Sequence, residues 1–213
     1  MFKKIREFNR VILTMVVVDF FVNGAFGIIT PFFAIFITGQ IKNGSASVAG
    51  FAAALYWITK SIFQLPISRF LDKTDGERDE FWTFFIGYMS AALIPIIYFF
   101  SYLPWHIYLA QIIYGFVMAW VVPAWYSIFT RHIDKFRIGF EWSLQSVFSV
   151  GIATSFAAAI GGILIDRFGF RPLFLVAASI ALISSLGILT IRKRIFPGDH
   201  LLKVWPEQPE IRK

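Results

Sequence analysis

Six long apolar runs, each bounded by a short cluster of charges, constrain this chain more than any other feature of its sequence. They cover Val11 to Thr38, Ser47 to Phe70, Phe81 to Tyr102, Leu103 to Thr130, Phe140 to Ile165 and Leu173 to Ile191. A helix needs about 20 mostly apolar residues to cross ~30 Å of hydrocarbon, and each run meets that length. Turn and breaker residues fall between them, at Gly39 to Ser45, Asp72 to Glu80, Ser101 to Pro104, His132 to Gly139 and Arg167 to Pro172. The expectation is an all-α membrane protein of six transmembrane helices over residues 11–191. A basic N-terminus over 1–10 and a tail over 192–213 flank them.

The chain is 57% apolar and 15% charged, with its charges gathered between the runs. The first run is much longer than the apolar core of a secretory signal and has no small-residue cleavage site, so it is expected to stay as an anchor. Cysteine is absent, which excludes disulfides and thiolate metal sites. The three histidines, His106, His132 and His200, are too far apart in sequence to suggest a metal cluster.

A net charge of +7 raises the question of nucleic acid, and the placement of the charges answers it. Lys3, Lys4, Arg6 and Arg10 precede the first run, Arg69, Lys73 and Arg78 follow the second, and Arg131, Lys135 and Arg137 follow the fourth. Arg192, Lys193, Arg194, Lys203, Arg212 and Lys213 follow the sixth. In a six-helix protein all of these lie on one side, against Lys42, Arg167 and Arg171 on the other. Basic residues concentrate on the cytoplasmic side, so both termini are expected there, in a cell (inner) membrane. Nucleic acid is not an expected partner.

An internal echo runs through the chain. Ser68 stands four residues before Asp72-Lys73, and Gly162 four before Asp166-Arg167, at an offset of 94 residues, while Pro31 answers Pro123 at 92. A three-helix unit used twice would place its copies in opposite orientations, a 3+3 inverted repeat.

These residues also carry a resemblance. The stretch Ser68-Arg-Phe-Leu-Asp72-Lys73, with Arg78 beyond it, resembles the G-x-x-x-D-R-x-G-R-R loop of major facilitator superfamily transporters, with Ser in place of the first Gly. Gly27-Ile-Ile-Thr-Pro31 is similar to the family's first helix. Gly161-Gly162, Asp166-Arg167, Gly169 and Arg171 resemble its entry to the sixth helix. The similarity covers all six runs and matches the N-terminal half of a major facilitator fold. Two family positions differ: Gln111 stands where many proton-coupled exporters carry arginine, and Ala157-Ala158 where many antiporters carry Gly-Pro.

The resemblance implies transport by alternating access, and a gate motif of Ser68, Asp72, Lys73, Arg78, Gly162, Asp166, Arg167, Gly169 and Arg171. The alternative for Asp72 is an ordinary solvated loop charge. Familiar members have two parallel six-helix halves, so the resemblance implies a homodimer in which second and fifth helices face each other across a twofold axis. Small residues suit that contact: Ala49, Gly50, Ala53 and Ala54 on the second helix, and Gly151, Ser155, Ala159 and Gly162 on the fifth.

Polar residues inside apolar runs mark candidate sites, because they are costly in lipid. Asp19, Asn23, Gly27 and Thr30 share a stripe of the first helix, as do Tyr56, Lys60 and Gln64 on the second and Glu141, Gln145 and Ser149 on the fifth. Gln111, Tyr114, Met118, Val122 and Trp125 form an aromatic-rich stripe on the fourth. The third and sixth helices show little of this kind. Asp19 and Lys60 fall at depths of about 12 and 15 Å from the cytoplasmic face, matched enough to pair. Such a pair reads equally as a coupling or substrate site and as a structural ion pair. Asp19, Asn23, Lys60, Gln64, Gln111, Tyr114, Trp125 and Gln145 are the candidate substrate and coupling residues. Trp82, Trp105 and Trp142, at helix ends, read as interfacial anchors.

The expected function is secondary transport of a small solute, amphipathic or aromatic in character, with protons or another coupling ion, the bilayer and a second copy as partners. A non-transporting six-helix scaffold, or one half of a heterodimeric transporter, is the alternative. No enzyme site, cofactor motif or nucleotide-binding loop is visible in the sequence.

Overall fold

The computed structural model describes residues 9–73 and 77–196. Lys3, Lys4, Arg6 and the tail beyond Phe196 lie outside the described residues. Within them every regular element is helical, and six helices are long and apolar enough to span a membrane. They are α1 (Arg10–Gln40), α2 (Ala46–Leu71), α3 (Arg78–Phe99), α4 (Pro104–His132), α5 (Ile138–Phe168) and α6 (Phe170–Ile195). These are the six apolar runs, mostly lengthened by a few polar residues at their ends.

Local chemistry sets the ends. Asn9 caps α1 by accepting from Val11 N at 3.0 Å, and its amide nitrogen donates to His132 O at 2.9 Å, tying the start of α1 to the end of α4. Ser45 caps α2 through Val48 N. Pro104 occupies the first turn of α4, where its missing N–H costs nothing, and His106 Nδ1 accepts from Leu103 N at 3.2 Å. Asn43, at φ 60°, and Gly169, at φ 78°, turn the chain into α2 and α6.

Four spans are not continuous α-helices: α3 is interrupted between Ala91 and Ile94, α6 tightens over Gly187–Ile191, and α1 and α5 depart further from regular geometry. In α1 the regular helix ends at Gly27, and a tight turn over Thr30–Phe32 follows, because Pro31 cannot donate to the ladder. Pro123 sits inside α4, which continues past it. In α5 the segment Gln145–Ile152 is π-helical, an uncommon geometry that is frequent at functional sites.

Packing arranges the six helices around α1 and α4. The α2 helix lies along α4, α3 packs on α4, and α1 packs against α5 and α6. Two glycines allow the closest crossings. A Cβ on Gly115 would lie 2.5 Å from Tyr56 O, and one on Gly161 would lie 2.7 Å from Ile28 O. Van der Waals contact of this kind drives helix association in lipid, where apolar burial gives little. The most apolar stretches of α1 and α3 are 56% and 50% buried, whereas those of α5 and α2 are only 22% and 11% buried.

The two ends of the bundle differ chemically. One carries Asn9, Glu77, Glu80, Arg131, His132, Asp134 and Glu141, linked by ion pairs and hydrogen bonds. The other joins three connections at Tyr102. Its carbonyl accepts from Lys42 N, its hydroxyl accepts from Arg171, and the Arg171 guanidinium also stands 4.1 Å from its ring centroid.

Candidate functional site

Asp19 sits midway along the regular first part of α1, Arg10–Gly27, and is 2% exposed. An ionised carboxylate at such a position is costly unless polar groups replace its water. Tyr88 of α3 donates its hydroxyl to Asp19 Oδ1 at 2.6 Å, and Gln145 of α5 donates its amide to Oδ2 at 2.6 Å. Both distances are short, as charge-assisted hydrogen bonds are. The Trp125 indole nitrogen, from α4, is a third polar group beside the carboxylate, without the geometry of a hydrogen bond. Four helices therefore converge on one acid.

The π-helical segment supplies the second layer. Ser149 Oγ stands 2.9 Å from Gln145 Oε1 and 2.8 Å from Val16 O, one hydroxyl shared between two acceptors. Gln145 is thereby held at both ends of its amide, and the π segment of α5 is bonded to the backbone of α1. Gln145 and Ser149 are both buried.

Beside this network lies a cavity of about 300 Å³, within the size range of small-molecule sites. Asp19 and Asn23 of α1, Met118, Val122 and Trp125 of α4, and Gln145 of α5 line it, together with Tyr88, Tyr126, Trp142 and Ser146. The Trp125, Tyr126 and Trp142 rings form one cluster, with centroids 5.5 to 6.1 Å apart.

The cavity gathers some of the expected site residues and not others. Asp19, Asn23, Trp125 and Gln145 meet there. Lys60 does not pair with Asp19. Its ammonium lies 4.9 Å from the Trp57 ring centroid and 5.9 Å from that of Tyr56, both on its own helix, while Asp19 takes neutral donors from α3 and α5. Matched depth put Asp19 and Lys60 at one level of the bundle but did not make them face each other. Tyr114 stacks on Phe26 and lies 4.9 Å from Tyr56, in an aromatic row outside the cavity lining. Gln111 is buried elsewhere on α4, and Gln64 lies one turn beyond Lys60 on α2.

Tyr126 and Ser146 of the lining went unnoticed in the sequence, and so did the roles of Tyr88 and Trp142. Tyr88 belongs to α3, which showed no polar stripe, and a single tyrosine in an apolar run carries no signal of its partner. Trp142, read as an interfacial anchor, instead stands 4.8 Å from Phe129 and lines the cavity. Glu141 beside it is buried in the first turn of α5 and accepts from Asp134 N at 3.1 Å.

The gate-motif residues divide between the two ends. Asp72 ends α2, with Ser68 Oγ donating to Leu65 O one turn earlier; Lys73 is exposed and Arg78 opens α3. At the opposite end Asp166 and Arg167 are exposed on the last turn of α5, Gly169 makes the turn, and Arg171 holds Tyr102. Among the small residues, Gly50, Ala53, Ala54, Gly151, Ser155 and Ala159 are exposed and Ala49 is half-buried. Gly162 faces inward, where a Cβ would meet the Phe32 ring at 3.2 Å.

No curated protein and no solved structure matches the chain. The family model of the Major Facilitator Superfamily matches residues 15–209, which reaches into all six spans, and the chain belongs to that superfamily.

Proposed function

We propose that the protein is a secondary active transporter of a small solute, working by alternating access as a parallel homodimer of six-helix units, with Asp19 at its substrate or coupling site. The observation that carries this reading is a buried carboxylate lining a 300 Å³ cavity where four helices meet. An intramembrane acid is costly, and its usual justification is a transport pathway. The exposed small-residue faces of α2 and α5, the two least buried spans, support a twofold partner there. The basic clusters support cytoplasmic termini in an inner membrane, and the Asp72 and Asp166 echo supports a 3+3 inverted repeat.

Reconstitution tests it. Proteoliposomes carrying the protein are incubated with a metabolite mixture, and accumulated solutes are read by mass spectrometry. The expected outcome is selective accumulation that Asp19→Asn abolishes without disturbing assembly. A well-assembled protein that moves no solute favours the scaffold alternative, and a flux indifferent to Asp19→Asn removes Asp19 from the site.

A further inference from the structure

We infer that the cavity at Asp19 takes a small monovalent organic cation, an amine or quaternary ammonium, in preference to an anion or a neutral polyol. This rests on the transport reading and names its substrate class.

The first ground is the charge inventory of the lining. Among the described residues, Asp19 is the one charged residue whose side chain lines the cavity. No described lysine or arginine lines it, and Lys60, a cation within the span of α2, is turned onto the rings of Tyr56 and Trp57. A lone negative charge in a cleft with largely apolar walls focuses its field on whatever enters, so an anion is repelled and a cation attracted.

The second ground is unused acceptor capacity. A carboxylate offers about four lone-pair positions, and Tyr88 and Gln145 occupy one on each oxygen. Those two donors orient the group and leave room for a further donor from a ligand. They also argue against an alkali metal ion, since an amide N–H and a phenol O–H directed at the carboxylate supply no coordinating oxygen there.

The third ground is the aromatic wall. Trp125, Tyr126 and Trp142 all line the cavity, in rings inclined to one another by 48 to 76°. Aromatic rings attract a desolvated ammonium through their quadrupoles. A polyol would need many hydrogen-bonding partners, and two of the five neutral amide and hydroxyl groups in the lining, on Asn23, Tyr88, Tyr126, Gln145 and Ser146, are already committed to Asp19.

The test uses the purified full-length protein in detergent, with binding followed by titration calorimetry. Four cations serve as probes: tetramethylammonium, choline, benzyltrimethylammonium and phenethylammonium. Each is set against a neutral isostere, such as 3,3-dimethylbutan-1-ol for choline, and against the anion 3,3-dimethylbutanoate. At least one cation binds, and its isostere and the anion bind far more weakly. Asp19→Asn weakens that cation by roughly thirty-fold or more, as when one partner of a desolvated charge pair is removed. Trp142→Leu weakens it by roughly two- to thirty-fold, the range of a cation–π contact, while Trp105→Leu, outside the cavity, leaves it unchanged. If Asp19→Asn does not fold, the isostere comparison on the unaltered chain and Trp142→Leu decide the matter. Binding of none of the four cations, or equal binding of a neutral isostere or the anion, overturns the inference. Cation binding with no flux of any solute defeats the transport reading and leaves the cation site standing. Asp19-dependent flux of a neutral or anionic solute does the reverse.

Discussion

Tyr88 and Asp19, 69 residues apart, are joined by a 2.6 Å hydrogen bond that fixes α3 to α1 at the centre of the bundle. Removing the phenol oxygen leaves Asp19 Oδ1 buried without that donor, so Tyr88→Phe should destabilise the protein by about 1 to 3 kcal/mol. Thermal or denaturant unfolding in detergent measures this. The double variant with Asp19→Asn should be less destabilised than the two single effects added together, since both act on one contact. Strict additivity would mean that the bond contributes nothing.

Lys60 provides the contrasting case. Its ammonium lies over rings of its own helix, and no ion pair joins it to Asp19. The stability effects of Asp19→Asn and Lys60→Met should therefore add within about 0.5 kcal/mol, as independent sites do. A coupling of 1 kcal/mol or more in the same unfolding measurement would mean that the two side chains meet in another conformation of the protein.

These two residues show how far the sequence could be read. Length and hydropathy locate spans because the requirement they report, an apolar stretch that crosses the bilayer, is local to each segment. Depth along a helix is equally local, which is why Asp19 could be placed at its level in the bundle. Azimuth relative to a neighbour depends on how helices cross, and here on glycines such as Gly115 and Gly161 that admit backbone contact. The Tyr88 partner, the inward turn of Trp142 and the π geometry of Gln145–Ile152 are all of this second kind. The break in α1 was only partly legible: Pro31 removes a ladder donor there, but Pro123 does the same within α4, which continues past it.

The charged end offers a pH dependence. Burial pushes the Glu77 carboxyl above its ordinary value of 4.5, and the nearby charges of His132, 3.6 Å away, and Arg131 pull it partly back. A raised acid binds its proton more tightly in the folded state, so its contribution to stability is full below the unfolded value and is lost as pH rises through the folded one. Relative to Glu77→Gln, the unaltered protein should lose stability as pH climbs above about 4.5, the ordinary glutamate value. Melting temperatures of both proteins across pH 4 to 8 check the sign; parallel curves would mean that Glu77 does not contribute.

The proposed twofold interface is open to a test at two positions where an added Cβ is uncrowded within its own subunit. A Cβ added at Gly50 meets nothing within 4 Å, and one at Gly151 meets only Ser146 O, at 3.6 Å. Both positions are exposed on α2 and α5, the spans whose apolar stretches are only 11% and 22% buried. A side chain starting there leaves its own subunit uncrowded at Cβ and heads from an exposed position, so a loss of assembly points to the partner. Gly162 is the wrong place for the same experiment, because a side chain there runs into Phe32 of its own chain. Close approach of small residues is what lets transmembrane helices pack tightly without an apolar driving force, and one leucine wedge removes it. Gly50→Leu and Gly151→Leu should each shift the dimer toward monomer in mild detergent, read as mass by light scattering, while the melting temperature of the monomer stays put. Cysteines at Ala53 and Ser155 should crosslink between subunits, a clean readout in a chain with no cysteine of its own. A dimer that keeps its full strength with both leucines, and never crosslinks at that pair, uses some other face.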